Sequence, residues 1–541
     1  MSAGRVARNP HPLPTLLLSI LAGAAASCGQ TPQLTGRWIG DASVASGPER
    51  IELEVDAAGA AMVSLRGWGL HGVRMARDVA PSESLAFTAM AKDTVGLRGV
   101  VRGGRWSGEL TRGGERIQVE LRRVEPYSAK DWTAIVGTFR AEDGRLLGIA
   151  PFSEFGPDPM LVDYGSGRIA PLYPVSRSAF LIGPALISPV LAIDSLEVVN
   201  DAAGGVHAIR VTHQGEPPVV ARRVETRDEE VRFSNGAVTL GGTLTLPPGP
   251  GPHPGLVLVH GSNAQTRDAF GPWTRFFVGQ GFAVLSFDKR GTGVSTGDWK
   301  QADFAALAGD VLAGVRLLEA RTEIRSDRIG LWGISQAGWI MPMVAAEAPD
   351  KIAFLVVHAG TGTTVQEQGV LNRLHELRAS GLPERSVAVG ARYQELDDVL
   401  TRSGKGWEEL QRFYEAHRGE EPWLPEPDPA DAWFRGYYRM LMDFDPAPFW
   451  HRVTCPTLLF FGELDVNVPP AESWPPIERA LRAAANREVE HVVLPKANHV
   501  FLEARTGARD EYPGLTRFVP GYFDRMAAWV AAQRERAGEG K

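Results

Sequence analysis

Gly333-Ile-Ser335-Gln-Ala337-Gly338 is the segment of this 541-residue chain with the clearest chemical use. It follows a predicted strand, Arg328 to Trp332, and precedes an apolar-periodic run from Ile340 to Ala345. A serine on a sharp strand-to-helix turn presents its hydroxyl at the end of a sheet, and the crowded backbone there requires small neighbours. Gly333, Ala337 and Gly338 meet that need, with Ala337 adding one methyl where the motif has a second glycine. Such a hydroxyl becomes a nucleophile when a base takes its proton and a third group orients the base. Two later segments supply those types. The strand Thr457 to Phe461 leads into Gly462-Glu-Leu-Asp465, and the strand His491 to Leu494 leads into Pro495-Lys-Ala-Asn-His499. Both lie just past strand C-termini, where open α/β sheets build their sites. Ser335 as nucleophile, Asp465 as acid and His499 as general base make acyl transfer the expected chemistry. Glu463 competes with Asp465 but lies nearer the strand end, and His491 sits inside an apolar strand, where a histidine reads as structural.

Acyl transfer also needs donors for an oxyanion. His260-Gly261-Ser262-Asn263 follows the first strong strand, Leu256 to Val259, and reads as the loop giving one backbone N–H from Ser262 or Asn263, with Gln336 giving the other. His260 reads as a brace for that loop. In the next loop, Asp288 to Ser295, Asp288 and Arg290 read as structural pins. The elements that must carry these loops alternate after Glu229: Leu256–Val259, Ala283–Phe287, Arg328–Trp332, Phe354–Val357, Thr457–Phe461 and His491–Leu494 read as buried strands. Phe304, Leu307, Val311, Val315 and Leu318 form one apolar helix face between them. The predicted class is therefore α/β, a mostly parallel sheet covered on both faces.

Residues 229–541 resemble an α/β-hydrolase of the bacterial serine hydrolase group that spans serine aminopeptidase-like, prolyl oligopeptidase-like and carboxylesterase members. The resemblance rests on His260-Gly-Ser-Asn-Ala-Gln-Thr-Arg-Asp268, Asp288-Lys-Arg-Gly-Thr-Gly-Val-Ser-Thr-Gly297, the Ser335 hexapeptide, Gly462-Glu-Leu-Asp465 and Asn498-His499. Asn263 departs from the glycine more usual in the first motif. The resemblance implies an α/β-hydrolase domain with a helical cap, here the helical text at about 361–448, and a two-step acyl-enzyme reaction. Trp407, Phe413, Tyr414, Trp423, Trp433, Phe434, Tyr437, Tyr438, Phe449 and Trp450 crowd that insertion, and some of them are expected to wall an apolar pocket. The expected substrate is a small or medium carboxylic ester. The alternative is a short peptide, cleaved by a serine exopeptidase of the prolyl oligopeptidase-like type. A third reading is a surface binding protein on a relict hydrolase fold, opposed by the complete Ser, Asp and His set.

The text before the sheet is of another kind. Residues 28–125 and 128–227 read as two small antiparallel β-rich domains, with alternating runs such as Ile51–Val55 and Ile117–Leu121 and a hairpin-like Val162–Ile169. Gly36-Arg-Trp38 resembles the opening of lipocalin-like barrels, with Trp38 as a barrel plug. About 200 residues is too short for a seven-bladed propeller, which prolyl-oligopeptidase-like peptidases commonly use to restrict access. The two segments are expected to position the enzyme on an envelope surface or to close over its site.

Arg5 and Arg8, the apolar run Leu16–Ala26 and the small residues after it have the order of a secretory signal, placing residues 1–27 in a leader and the protein in the periplasm or at the cell envelope. Ala25-Ala-Ser-Cys28 resembles a lipobox with Ala25 for the usual leucine, making Cys28 a candidate lipid anchor; cleavage after Ala26 is the other reading. With 57 Lys and Arg against 64 Asp and Glu, the net charge of -7 excludes a dedicated nucleic-acid binder. Two cysteines exclude a disulfide framework and a Cys-based zinc site. The Gly291–Gly297 run misses the dinucleotide fingerprint in its last spacing, and no cofactor or metal is expected.

Overall fold

The computed structural model describes residues 35–536, apart from 45–46, 58–59, 66–69, 79–83, 91–93, 103, 113–114, 157, 184–185 and 187–193. The expected leader and Cys28 lie outside the described residues. Among the described residues no helix is long and apolar enough to cross a membrane, and no His, Cys, Asp and Glu grouping suits a metal ion.

Eight antiparallel strands, from Gly36–Val44 to Glu115–Val124, pair in chain order and close first onto last into a barrel. Alternation sets which side chains turn inward: in the last strand Ile117, Val119 and Leu121 are buried while Arg116, Gln118 and Glu120 are not. Trp38, Leu53, Leu97, Trp106 and Leu121 help to fill the interior. Trp106 lies over Gly99, where any Cβ would come within 2.6 Å of its ring. A helix, Ala129–Ile135, opened by a Ser128–Asp131 capping box, leads to the second barrel. Its eight strands, from Gly137–Ala141 to Val219–Arg223, also run in chain order and close. The barrels meet through Ile39, Val124, Tyr173 and Leu181 and an Arg37–Asp158 ion pair at 2.9 Å.

The third unit is an eight-stranded sheet. Its order is Arg227–Asn235, Val238–Leu246, Ala283–Phe287, His253–Val259, Ile324–Ile334, Phe354–His358, Thr457–Gly462 and Val489–Leu494. The first two strands are antiparallel to their neighbours, and from Ala283–Phe287 onward the pairing is parallel. Helices cover both faces, so the central strands are buried along nearly their whole length. Phe304, Leu307, Val311, Val315 and Leu318 all enter this core from one helix. Between Phe354–His358 and Thr457–Gly462 the chain builds a helical cap, Val365–Ala379, Glu384–Ser403, Trp407–His417, Trp433–Leu441 and Ala447–Trp450.

The second barrel shares the hydrolase core. Phe152, Met160, Val162 and Tyr164 belong to the same buried cluster as the sheet. Tyr164 Oη donates to Pro272 O at 2.6 Å, and Thr138 Oγ1 donates to Arg275 O at 3.0 Å. Gly271 packs on Pro151 so closely that a Cβ would sit 2.2 Å from its carbonyl oxygen.

One buried polar chain ties this core together. Trp332 Nε1 donates to His358 Nε2 at 3.1 Å, His358 Nδ1 lies 2.8 Å from Tyr522 Oη, and Trp273 Nε1 donates to the same oxygen at 2.8 Å. The indole can only donate, so Nε2 is the acceptor and the proton sits on Nδ1, which donates to Tyr522. Burial holds His358 neutral, far below its ordinary pKa. Tyr522 Oη thus receives two donors that have no water to turn to. Tyr522→Phe is expected to lower stability by at least about 2 kcal/mol in urea unfolding, because each orphaned buried donor costs about 1–3 kcal/mol; an unchanged midpoint would remove this chain from the core's account.

Candidate active site

Strand Ile324–Ile334 runs straight into Ser335, and helix Ala337–Glu347 starts two residues later. Ser335 is forced to φ 60°, a left-handed conformation uncommon for a residue with a side chain. Ser335 N donates to His358 O at 2.9 Å and Gly338 N donates to Ser335 O at 2.8 Å, which hold the turn. The small neighbours are sterically required. A Cβ on Gly338 would lie 2.4 Å from Gly360 Cα, and one on Gly333 would lie 2.5 Å from the Ala337 methyl. Ala337 therefore fills space that Gly333 leaves open, which is why this turn accepts it.

Asp465 and His499 come together at the ends of the next two strands. His499 Nδ1 lies 2.9 Å from Asp465 Oδ2 and 3.1 Å from Oδ1. Asp465 Oδ1 also accepts from the backbone N–H of Asn467 and Val468, each at 2.8 Å, so the carboxylate is oriented from both sides. Glu463 turns away and accepts from Lys496 N at 2.9 Å. His491 stacks on Trp474 with ring centroids 4.1 Å apart, remote from this pair in role as in contacts. Asn498, fully buried, accepts from the N–H of Val500 and Leu502 and so shapes the loop that presents His499. That asparagine directly before the histidine was a legible signal, since Asn side chains commonly build such turns.

Ser262, Asn263 and Gln336 face the same space as Ser335. Asn263 has φ 65°, and the backbone N–H groups of Ser262, Asn263 and Gln336 have no acceptor among the described residues. His260 Nε2 donates to Phe287 O at 2.6 Å, and burial pushes its pKa down to about 3, so it is a neutral brace. Asp288 and Arg290 serve as pins: Asp288 takes both Arg267 and the Val294 N–H, while Arg290 grips Asp310 at 2.6 and 2.7 Å.

Sequence reasoning passed over the residue between those two pins. Lys289 is buried, and its Nζ donates to Gly261 O at 2.9 Å, Asn263 O at 3.1 Å and Gln336 Oε1 at 2.9 Å. One ammonium thus ties the His260–Asn263 loop to the residue after Ser335. Burial pushes its pKa down to about 7, while three acceptor oxygens around Nζ favour the charged form.

Gly261, Ser262, Asn263, Ser335, Gln336 and His499 line one cavity of about 710 Å³. The expected apolar pocket walled by cap aromatics is not what forms. Trp407, Phe413, Tyr414 and Trp423 pack into the cap's own small core with Tyr393, Leu400 and Leu410, and Trp433 and Tyr437 pack edge-on to Trp299. The cap gives the cavity Gln368 and Asn372 instead, and both also hold the Asp465 loop through hydrogen bonds to Asn467. Amphipathic helices bury their large apolar side chains against one another first, leaving polar ones to face the opening. The second barrel adds Ser153, Glu154 and Phe155, a contribution for which the sequence carried no signal.

The family model for serine aminopeptidase, S33, matches residues 251–504. Esterase EstD of Thermotoga maritima is 25% identical over 305 residues, 54% of this chain, which spans 65% of that protein's length. An uncharacterised 31.7 kDa protein from the traX-finO intergenic region of Escherichia coli is 31% identical over 299 residues, 53% of this chain and 92% of its own length. Among solved structures, a Pyrococcus furiosus esterase aligns at 18% identity and TM-score 0.37 over 57% of this chain and 90% of its own. The proline iminopeptidase of Mycobacterium smegmatis aligns at 16% identity and TM-score 0.37, over 57% and 99%. With the S33 profile lying across the parallel strands of its sheet and a relative matched along nearly its whole length, the chain belongs to the α/β-hydrolase superfamily.

Proposed function

We propose that the protein is an exported serine hydrolase that cleaves carboxylic esters through an acyl-enzyme. Ser335 Oγ attacks the ester carbonyl as His499 Nε2 takes its proton, and Asp465 holds the imidazole with its proton on Nδ1 and balances the imidazolium. The N–H of Gln336 and that of Ser262 or Asn263 receive the oxyanion. His499 then returns the proton to the leaving alcohol, and a water deprotonated by His499 releases the acid. The observation that carries this reading is the 2.9 Å contact of His499 with Asp465 on a cavity shared with a serine strained to φ 60°. In ligand-free enzymes the serine–histidine contact is commonly loose and tightens on binding.

The likeness to esterase EstD supports an ester over a peptide bond, while the S33 family description supports the exopeptidase alternative. Export rests on the leader-like residues 1–27, with Cys28 proposed as a lipid anchor.

Ser335→Ala is expected to abolish labelling by a fluorophosphonate probe, and retained labelling would move the nucleophile elsewhere. Asp465→Asn is expected to lower kcat by about 10³- to 10⁴-fold with the fold intact, read by steady-state kinetics beside circular dichroism. Lys289→Met is expected to cut kcat about 10-fold or more with little change in KM, since it frees the loop that carries an oxyanion donor; a change confined to KM would count against that role. Faster turnover of aminoacyl anilides than of p-nitrophenyl esters would reverse the ester assignment.

A further inference from the structure

Glu154 is a carboxylate for which the reaction above has no use. It lies in the loop joining strands Leu146–Ala150 and Met160–Asp163 of the second barrel, and with Ser153 and Phe155 it lines the cavity that holds Ser335 and His499. The loop is anchored on both sides of it. Phe152 is fully buried with its ring edge-on to Trp273 at 5.4 Å, and Phe155 stacks on Tyr512 at 5.9 Å. These two contacts place Glu154 between them on the cavity wall.

Its carboxylate interacts across the cavity with the His499 imidazole. Gln265 Nε2 donates to its carboxylate, and no Lys or Arg forms an ion pair with it among the described residues. Among the described residues Arg509 is the one guanidinium on the cavity wall, and it is exposed and forms no ion pair with Glu154. Glu154 is exposed to the cavity, and the protein packed beside it raises its carboxyl pKa above the ordinary value. The rest of the wall is mainly neutral and hydrogen-bonding: Asn263, Gln265, Thr361, Gln368, Asn372 and Asn467. A carboxylate exposed to such a wall with no Lys or Arg ion pair attracts a cation that enters the cavity.

We propose that Glu154, delivered by the second barrel, is a subsite for a cationic group of the substrate, an alkylammonium on either the acyl or the alcohol portion of the ester. This rests on the serine-hydrolase reading above and adds the substrate class. It also gives the second barrel a function at the site, that of closing one wall and choosing what enters.

The test uses the purified full chain and two matched substrate pairs. p-Nitrophenyl 6-aminohexanoate against p-nitrophenyl hexanoate probes the acyl side, and butyrylcholine against 3,3-dimethylbutyl butyrate probes the alcohol side. Wild type is expected to favour the cationic member of one pair. Glu154→Gln is expected to cut kcat/KM for that member about 10-fold or more while its neutral partner stays within about twofold. Glu154→Asp should recover part of the loss. Labelling of Ser335 by a neutral fluorophosphonate at the wild-type rate establishes that the Glu154→Gln site is intact. No cationic preference in wild type, or equal losses on both members of a pair, overturns the subsite and leaves the esterase reading standing. A wild-type protein that neither labels nor hydrolyses any of the four esters overturns the serine-hydrolase reading itself, and this inference with it.

Discussion

A serine at φ 60° is a strained residue, and strain of this kind costs on the order of 1–3 kcal/mol and persists only where its surroundings over-determine it. Here three backbones converge on the turn. Gly333, Gly338 and Gly360 each lack the Cβ that would collide with a neighbour, and Ala337 occupies the space that Gly333 leaves. The strand before the turn is hydrogen-bonded on both sides within a parallel sheet, and the helix after it is buried along nearly its whole length. The rest of the site is arranged around the one direction in which that turn points its hydroxyl.

The groups around Ser335 are positioned by polar contacts made at strand ends. Asp465 is oriented by two backbone N–H groups before it meets His499, and Asn498 builds the bend that presents the imidazole. Lys289 joins the His260–Asn263 loop to Gln336 through three acceptors. Buried polar networks of this sort rigidify a site when every member is satisfied. The Trp332–His358–Tyr522–Trp273 chain continues the same logic into the core, directly beneath the strand that ends at Ser335.

Two barrels precede this unit and differ in how they relate to it. The first has a core of its own and meets the second through a small apolar patch and the Arg37–Asp158 pair. The second shares buried residues with the hydrolase sheet and sends a loop, pinned by Phe152 and Phe155, onto the cavity wall. Of the two roles expected for the β segments, closing over the site is the one with contacts behind it for the second barrel.

Much of the hydrolase unit could be read directly from the chain. Buried parallel strands are continuous apolar runs, the Phe304–Leu318 stripe has helical spacing, and Ser335, Asp465 and His499 sit on loops at strand ends, because those patterns follow from local geometry alone. Closure into an eight-stranded barrel was hinted at for the first β segment by Gly36-Arg-Trp38 alone and was not legible for the second, since alternation specifies which face is buried and not whether the first strand meets the last. The fate of the cap aromatics was not legible either: composition puts Trp407, Phe413 and Trp423 near one another, but only packing decided that they face the cap's interior and leave Gln368 and Asn372 at the cavity. Lys289 and Glu154 belong to the same class. A lysine beside a strand end and a glutamate in a barrel loop carry no periodic signature, and their partners lie 26 to 111 positions away in the chain. Sequence determined the elements and the order of the reacting groups; the tertiary fold alone decided which polar side chains surround them, because that depends on contacts between segments with no local pattern in common.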